Sequence, residues 1–384
     1  MDPEQVIRRP QWQQRIEQDW QTRSVIWLSG VRRVGKTCLC QSLGNIEYFD
    51  CESPRVARLL EDPDDFWSGL KGKRVVLDEI HRLDNPSQVL KIAADHYPTV
   101  RVIATGSSTL GASKKFRDTL TGRKWNLWLT PMVLADISAF GQEDIRHRLF
   151  YGGLPPFFLA RALPEREIRD WMDSYWAKDV QELFRLDKRD SFLKLTELLM
   201  IHSGGMFSAA SLAGPCGVSR PTLSTYVKVL EETFVVHVLR PFHGKAAKEV
   251  VSTPKIFAFD TGFVCYYRGW SALREQDMGT LWEHFVLNEM QAALQGRQIH
   301  YWRDRQKHEV DFIWKGRGRP PLAIECKWSA SGFDDRNLQA FRRLHPDGEN
   351  VVVAHDVDRP FTRTCGELQV SFESLPGLTT RLTG

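Results

Sequence analysis

No apolar run in this sequence approaches the roughly 20 residues that a membrane-spanning helix requires. The start, Met1-Asp2-Pro3-Glu4-Gln5, has no basic stretch leading into an apolar one. The expectation is a soluble, cytoplasmic protein with no membrane partner. Cysteine is sparse and shows no pairing pattern: seven residues lie at 38, 40, 51, 216, 265, 326 and 365, with no C-x-x-C. An odd, scattered set argues against a disulfide framework and fits a reducing compartment. An excess of one charge is missing too. Fifty-two Lys and Arg against 48 Asp and Glu leave a net charge of +4, too little to imply nucleic acid by itself. Internal repeats, low-complexity tracts and long linkers are absent. What remains is an ordinary globular composition, 42% hydrophobic and 26% charged over 384 residues, which predicts about two or three domains.

Against that plain background, residues 30–37 read Gly-Val-Arg-Arg-Val-Gly-Lys-Thr, a complete G-x-x-x-x-G-K-[ST] phosphate loop. A buried-looking run, Ser24 to Leu28, precedes it, and Cys38 to Leu43 continue a helix after it. In that strand–loop–helix setting Gly30 and Gly35 let the backbone wrap a polyphosphate with its N–H groups facing the anion. Lys36 would reach the β- and γ-phosphates of ATP, and the Thr37 hydroxyl would ligate Mg²⁺. A second strand, Arg74 to Glu79, ends in Asp78-Glu79 at the carboxyl edge of a parallel sheet, where ligands of open α/β sheets bind. Asp78 would hold Mg²⁺ through water, and Glu79 would orient and deprotonate the attacking water. His81 is assigned no role.

Strands alternating with helices over about 130 residues predict an α/β fold, a parallel sheet with helices on both faces. Its expected elements are a helix within 1–22, a strand at Ile46–Cys51, helices at Val56–Leu70, Pro86–His96 and Thr109–Leu120, and strands at Val100–Ala104 and Trp125–Leu129. The strand ending at Ala104 runs into Thr105-Gly106-Ser107-Ser108. A polar group there, Ser107 in particular, would sense the γ-phosphate or lytic water, or else only cap the next helix. Residues 136–200 read as mostly helical, with a Tyr151-Gly152-Gly153-Leu154-Pro155-Pro156 turn inside.

A helix over Ser208–Ala213, a break at Gly214-Pro215-Cys216-Gly217 and a helix capped by Ser219 predict a helix-turn-helix, with Val235–Arg240 and Lys255–Phe259 as wing strands. Leu223, Val227 and Leu230 would face its core. Arg220, Ser224, Thr225 and Lys228 would face outward, towards DNA or towards a protein partner. Further on, Asp311 lies on a strand and Glu325-Cys326-Lys327 on the next, with the basic turn Lys315-Gly316-Arg317-Gly318-Arg319 between them. Residues i and i+2 of a strand share a face, so Glu325 and Lys327 point together, and a hairpin brings Asp311 beside them. Two carboxylates that bind Mg²⁺ or Mn²⁺, with a lysine to position water or offset charge, suit metal-assisted phosphodiester hydrolysis. Lys315, Arg317 and Arg319 would grip the phosphate backbone. Between 297 and 343, eleven Lys/Arg outnumber six Asp/Glu, which favours a polyanionic partner.

The phosphate loop, the Asp-Glu strand, the polar-ended strand and Arg123 together resemble the AAA-type ATPases. The resemblance implies that Arg123, with Arg117 as a weaker candidate, reaches the nucleotide of a neighbouring subunit in a homo-oligomer such as a hexameric ring. Asp311 and Glu325-x-Lys327, preceded by a helix carrying Glu283, resemble the core of restriction-endonuclease-like nucleases. That resemblance makes Glu283, or else Glu289, the acid contributed by the helix. The whole chain resembles a bacterial and archaeal group of two-part ATPases. It implies an AAA-type ATPase core at 1–135, a helical lid at 136–200, a winged helix-turn-helix at 201–258 and a restriction-endonuclease-like α/β domain at 259–384. Two functions fit: an ATP-driven, DNA-processing enzyme that remodels and cuts DNA, or an ATP-gated DNA-binding regulator whose nuclease fold is a non-cleaving scaffold.

Overall fold

The computed structural model describes all residues except 1–5, 107–113, 182, 183, 185, 187, 244–252, 297 and 298. The chain forms two compact units. The first comprises residues 1–144, 154–187 and 232–234, and the second 145–153, 188–231 and 235–384.

The first unit is built on strands β1 (Val25–Ser29), β2 (Ile46–Asp50), β3 (Arg74–Asp78), β4 (Arg101–Thr105) and β5 (Lys124–Trp128), in the order β2-β3-β4-β1-β5. Every neighbouring pair is parallel. The central strand β1 is buried along its whole length, while the edge strands β2 and β5 are largely half-exposed or exposed. That contrast is what a parallel sheet covered on its faces produces. A core of Trp27, Trp67, Val75, Leu77, Leu90 and Ala104 lies against the helix Pro86–His96. The single helix expected over Val56–Leu70 is instead two, Pro54–Leu59 and Pro63–Ser68. Pro63 cannot continue the first helix, and Asp62 caps the second by accepting from the Asp65 N–H at 3.0 Å.

The second unit holds a nine-stranded sheet of β6 (Gly205–Met206), β7 (Val236–Pro241), β8 (Lys255–Ala258), β9 (Ile299–Arg303), β10 (Glu309–Trp314), β11 (Leu322–Lys327), β12 (Asn350–Ala354), β13 (Phe361–Cys365) and β14 (Leu368–Glu373). Their order is β13-β14-β12-β11-β10-β9-β7-β8-β6. The strands expected as a wing, β7 and β8, do pair antiparallel, but β7 also pairs with β9, so the sheet runs through the 258/259 boundary. The helix Arg220–Glu232 buries Leu223, Val227 and Leu230 as its spacing predicts. The helix before it runs over Ala209–Cys216, past the expected break, with Pro215 inside it. Pro215 falls in the last turn, where a lost N–H bond weakens little, and Gly217, with φ at 63°, supplies the left-handed stop. A long helix, Glu275–Leu294, is buried nearly all round.

Candidate functional site

The loop after β1 has the backbone a phosphate cradle requires. Gly30 has φ at 150°, and a Cβ there would lie 2.5 Å from the Leu129 carbonyl oxygen, so no other residue fits. Gly35, with φ at 98°, opens the helix Lys36–Gln41 and leaves its first N–H groups facing outward. Lys36 Nζ curls over the loop, donating to the carbonyls of Gly30 at 2.9 Å and Val31 at 3.3 Å. Burial pulls its pKa down, against the opposing pull of Glu79, Asp179 and Asp78. Thr37 Oγ1 donates to Asp78 Oδ2 at 2.8 Å. The buried Asp78 carboxylate also accepts from Tyr48 and Thr105, which fixes both its oxygens. Burial and the bond to Asp78 hold the Tyr48 phenol well above its ordinary range, so it remains a donor. A hydroxyl and a carboxylate this close can hold Mg²⁺ alongside water and phosphate oxygens.

Glu79 leaves β3 in the left-handed region, φ 53° and ψ 42°. That conformation costs a residue with a Cβ about 1–2 kcal/mol. Its N–H donates to Thr105 Oγ1 at 3.2 Å, and its Oε2 lies 3.1 Å from His81 Nδ1. The His81 hydrogen bond and the Lys36 charge keep the Glu79 carboxyl below its ordinary range despite partial burial. An ionised carboxylate with a free face beside a phosphate cradle can accept a proton from water. Ser107 lies outside the described residues. Arg123 sits at the opposite edge of the sheet: β5 runs parallel to β1 with Lys124 beside Val25 and Trp128 beside Ser29. Five residues of strand put about 16 Å between that edge and the loop. Arg123 Nε donates to Asp95 Oδ1 at 2.7 Å.

In the second unit, β10 and β11 are antiparallel with Phe312 beside Ile324, which puts Asp311 and Glu325 on one face. Lys327 Nζ lies 2.6 Å from Glu325 Oε2 and 3.8 Å from Asp311 Oδ2. Asp311 Oδ2 accepts from the Cys326 N–H at 2.8 Å. Glu325 is 1% exposed, and its Oε1 has no hydrogen-bond partner among the described residues. Burial, then Asp311, push the Glu325 carboxyl up, while Lys327 pulls the other way. Glu283, on the helix Glu275–Leu294, meets the cluster through Lys255, whose Nζ lies 3.2 Å from Glu283 Oε1 and 2.6 Å from Glu309 Oε1. Burial raises the Glu283 carboxyl, and Asp311 adds to the effect. Glu289 is buried on the same helix. Among the described residues, no three or more His, Cys, Asp or Glu side chains form a group ready to hold a metal ion. The pair Asp311 and Glu325 suits Mg²⁺, which takes one or two carboxylates and completes its shell with water and phosphate.

Comparison with known proteins assigns part of this arrangement. The model of an AAA domain matches residues 22–138. The AAA domain makes the first unit a P-loop, nucleotide-binding and nucleotide-hydrolysing module, which implies ATP with a divalent ion such as Mg²⁺. Two further models, each described as a domain of unknown function, match residues 142–274 and 278–371. The chain is 28% identical over 347 residues to the uncharacterized proteins Rv2008c of Mycobacterium tuberculosis and Mb2031c of Mycobacterium bovis, covering 87% of this chain and 77% of each relative. Among solved structures, similarity extends to a DNA replication initiation factor (15% identity, 54% of this chain and 68% of that chain, TM-score 0.26). It extends also to a signal transduction ATPase with numerous domains from Pyrococcus horikoshii (11% identity, 73% and 46%, TM-score 0.30). Among the described residues, no helix is long and apolar enough to cross a membrane.

Several groups around the AAA domain's cradle carry no motif in the sequence. Arg9 is 3% exposed; it donates from Nη1 to the Val34 carbonyl at 3.2 Å and pairs through Nη2 with Asp136 at 2.5 Å. This buried pair, 127 residues apart in the chain, ties the loop to the helix Leu134–Ile137. Arg32, inside the loop, donates to Asp179 at 3.2 Å, and Trp171 donates to the Arg32 carbonyl at 3.0 Å. His81, assigned no role from sequence, fixes Glu79, and Thr105 bridges Asp78 to Glu79. In the second unit Arg220 and Lys228 are exposed on the helix that begins at Arg220. Lys315, Arg317 and Arg319 are exposed in the turn between β10 and β11.

Proposed function

We propose that this protein is an ATP-hydrolysing DNA-processing protein, a motor or remodeller whose second unit carries a metal-dependent DNA nuclease site. One observation carries the nuclease reading: Glu325 is fully buried, with one carboxylate oxygen unpartnered, on the same face as Asp311 and Lys327. Buried polar atoms almost always find a partner, so an orphan oxygen beside a second carboxylate marks a cation position. Asp311 and Glu325 hold Mg²⁺ or Mn²⁺, Lys327 offsets charge on the scissile phosphate, and Glu283 assists from its helix. The bound metal supplies an activated water and a Lewis acid for the phosphodiester. In the AAA domain, Gly30, Gly35, Lys36 and Thr37 cradle the phosphates, Asp78 holds Mg²⁺, Ser107 senses nucleotide and Glu79 is the base. The working division is an ATPase core at 1–135, a lid at 136–200, a winged helix-turn-helix at 201–258 and a nuclease-like domain at 259–384.

A second reading, an ATP-gated DNA-binding regulator with a non-cleaving scaffold, is favoured by the lack of a ready group of three metal ligands among the described residues. Incubating purified protein with linear, circular and branched DNA, with and without ATP and Mg²⁺ or Mn²⁺, separates the two. Metal-dependent cutting supports the nuclease. Binding without cutting across all substrates and metals supports the scaffold.

Arg123 acts in trans in this reading, in a homo-oligomer such as a hexameric ring, since it lies too far along the sheet to touch its own nucleotide. Exchanging its Asp95 partner for a transferring phosphoryl gives a rate gain of about 10³–10⁵, the range of such arginine fingers. Arg123→Ala and Lys36→Ala subunits, each inactive alone, are expected to recover part of the ATPase rate when mixed. Verified mixed oligomers that show no recovery overturn the assignment.

DNA contact is assigned to Arg220 and Lys228 on their helix and to Lys315, Arg317 and Arg319 in the turn. Replacing Arg220 or Lys228 by Ala is expected to weaken DNA binding and to flatten the slope of log K against log salt by about one unit per contact. Fluorescence anisotropy across a salt series reads both. Unchanged affinity and slope would assign this helix to a protein partner.

A further inference from the structure

The proposed nuclease site contains a second cation position that the protein fills with its own side chain. We propose that Lys255 is this resident counter-cation and that the site therefore takes one divalent ion, at Asp311 and Glu325, rather than two. The inference rests on the metal-dependent reading above and specifies its stoichiometry.

Lys255 lies on β8, and its side chain is 5% exposed. Its ammonium sits between two carboxylates from different elements, Glu283 of the long helix at 3.2 Å and Glu309 of β10 at 2.6 Å. Arg303 Nη1 holds the other oxygen of Glu309 at 2.6 Å. The rings of Phe257 and Tyr301 close around the nitrogen, with centroids 5.5 and 5.8 Å away. Two carboxylate oxygens converging on one point is also what a divalent ion would occupy, and Asp311 is near enough to act on Lys255 electrostatically.

Charge and access then distinguish the two lysines. With every carboxylate ionised, as a bound metal requires, Glu283, Glu309, Asp311 and Glu325 bring four negative charges, and Lys255, Arg303 and Lys327 bring three positive ones. One divalent ion turns that balance to a single positive charge, which matches one phosphodiester. A second ion in place of Lys255 would leave two positive charges in a largely buried site, more than one phosphodiester offsets, at a steep desolvation cost. Lys327 is 26% exposed, bonded to Glu325 at 2.6 Å but 3.8 Å from Asp311, so it has an open side on which to swing towards phosphate and admit a metal beneath it. Lys255 is enclosed by Glu283, Glu309 and two aromatic rings and stays in place.

Mn²⁺ titration of the full, nucleotide-free chain, with free ion read by electron paramagnetic resonance, tests this without any cleavage assay. The wild type is expected to bind one Mn²⁺ per chain, and Asp311→Ala to lose it. Lys255→Ala opens the second position and is expected to bind two; its melting temperature, lowered without metal, should recover with Mn²⁺ more than the wild type's rises. Lys255→Arg keeps the cation and should still bind one. Two ions on the wild type, both retained when Asp78→Asn removes the position at the phosphate loop, overturn the inference. One ion on a folded Lys255→Ala chain overturns it while leaving the nuclease reading intact. A wild type that binds no Mn²⁺, or binds it equally after Asp311→Ala, overturns both.

Discussion

Glu79→Gln is expected to bind ATP as tightly as the wild type and to hydrolyse it roughly 10²–10⁴-fold more slowly, the span a positioned general base contributes. The amide keeps the side chain's size and its contact with His81, and removes only the ability to take a proton. His81 and Lys36 hold the Glu79 carboxyl below its ordinary range. The wild-type base is therefore already ionised at neutral pH, and the rate should fall only as pH drops into the carboxylate range. Lys36→Ala should fail one step earlier. Its ammonium sits on the loop carbonyls, ready to exchange them for β- and γ-phosphate oxygens. Removing it takes a point charge from the cradle and raises the ATP dissociation constant. Equilibrium nucleotide binding and single-turnover hydrolysis separate the two defects. Wild-type turnover in both variants would falsify the assignment of residues 30–37 and 78–79 as the site.

Asp311→Ala and Lys327→Ala are expected to abolish metal-dependent DNA cutting, by on the order of 10³ or more, while ATP hydrolysis in the AAA domain continues. Asp311→Ala removes one of the pair that holds the ion. Lys327→Ala leaves the ion but removes the cation that offsets charge at phosphorus. The buried Glu325 carboxyl is raised first by burial and then by Asp311, so a proton competes with the metal near neutrality. With that carboxyl pushed up to about 8, affinity for Mn²⁺ should rise as pH rises through about 8, with proton release measurable by calorimetry in buffers of different ionisation heat. Cleavage that survives in both variants removes the site from this face of the sheet.

Much of this geometry follows from short stretches of sequence. The phosphate loop is contiguous, and its strand and helix flank it directly, so eight residues carry both the backbone shape and the chemistry. Asp78 marks itself by ending an apolar strand. Glu325 and Lys327 share a face by strand alternation, and the turn after β10 folds Asp311 back beside them. The parts that stayed hidden come from segments far apart in the chain. Lys255 reads as one basic residue in a wing strand; only the pairing of β7 with β8 and β9 carries it to Glu283 and Glu309. Arg9 and Asp136 each look like surface charges, and only burial against the loop makes them partners. Thr105 and Tyr48 have no motif because their role is to satisfy Asp78, and any nearby hydroxyl meets that requirement. The helix Ala209–Cys216 outruns the break that Gly214-Pro215 predicts, because in the last turn the missing N–H of a proline costs little.

The interleaving of the two units has a practical side. Neither is a contiguous stretch of chain, since the second unit takes residues 145–153 from within the first, and the first takes 154–187 and 232–234 from within the second. In the borrowed segment, Arg148 donates to Thr261 at 3.0 Å and the Gly153 N–H donates to Asp260 at 2.6 Å, both deep in the second unit. A C-terminal fragment starting at residue 188 would leave that helix behind and strand a buried Asp260 without its Gly153 donor. The pieces cannot be shuffled as cassettes between proteins, and no single protease nick frees one from the other. A truncation or insertion made for one unit must therefore leave the thread of the other intact.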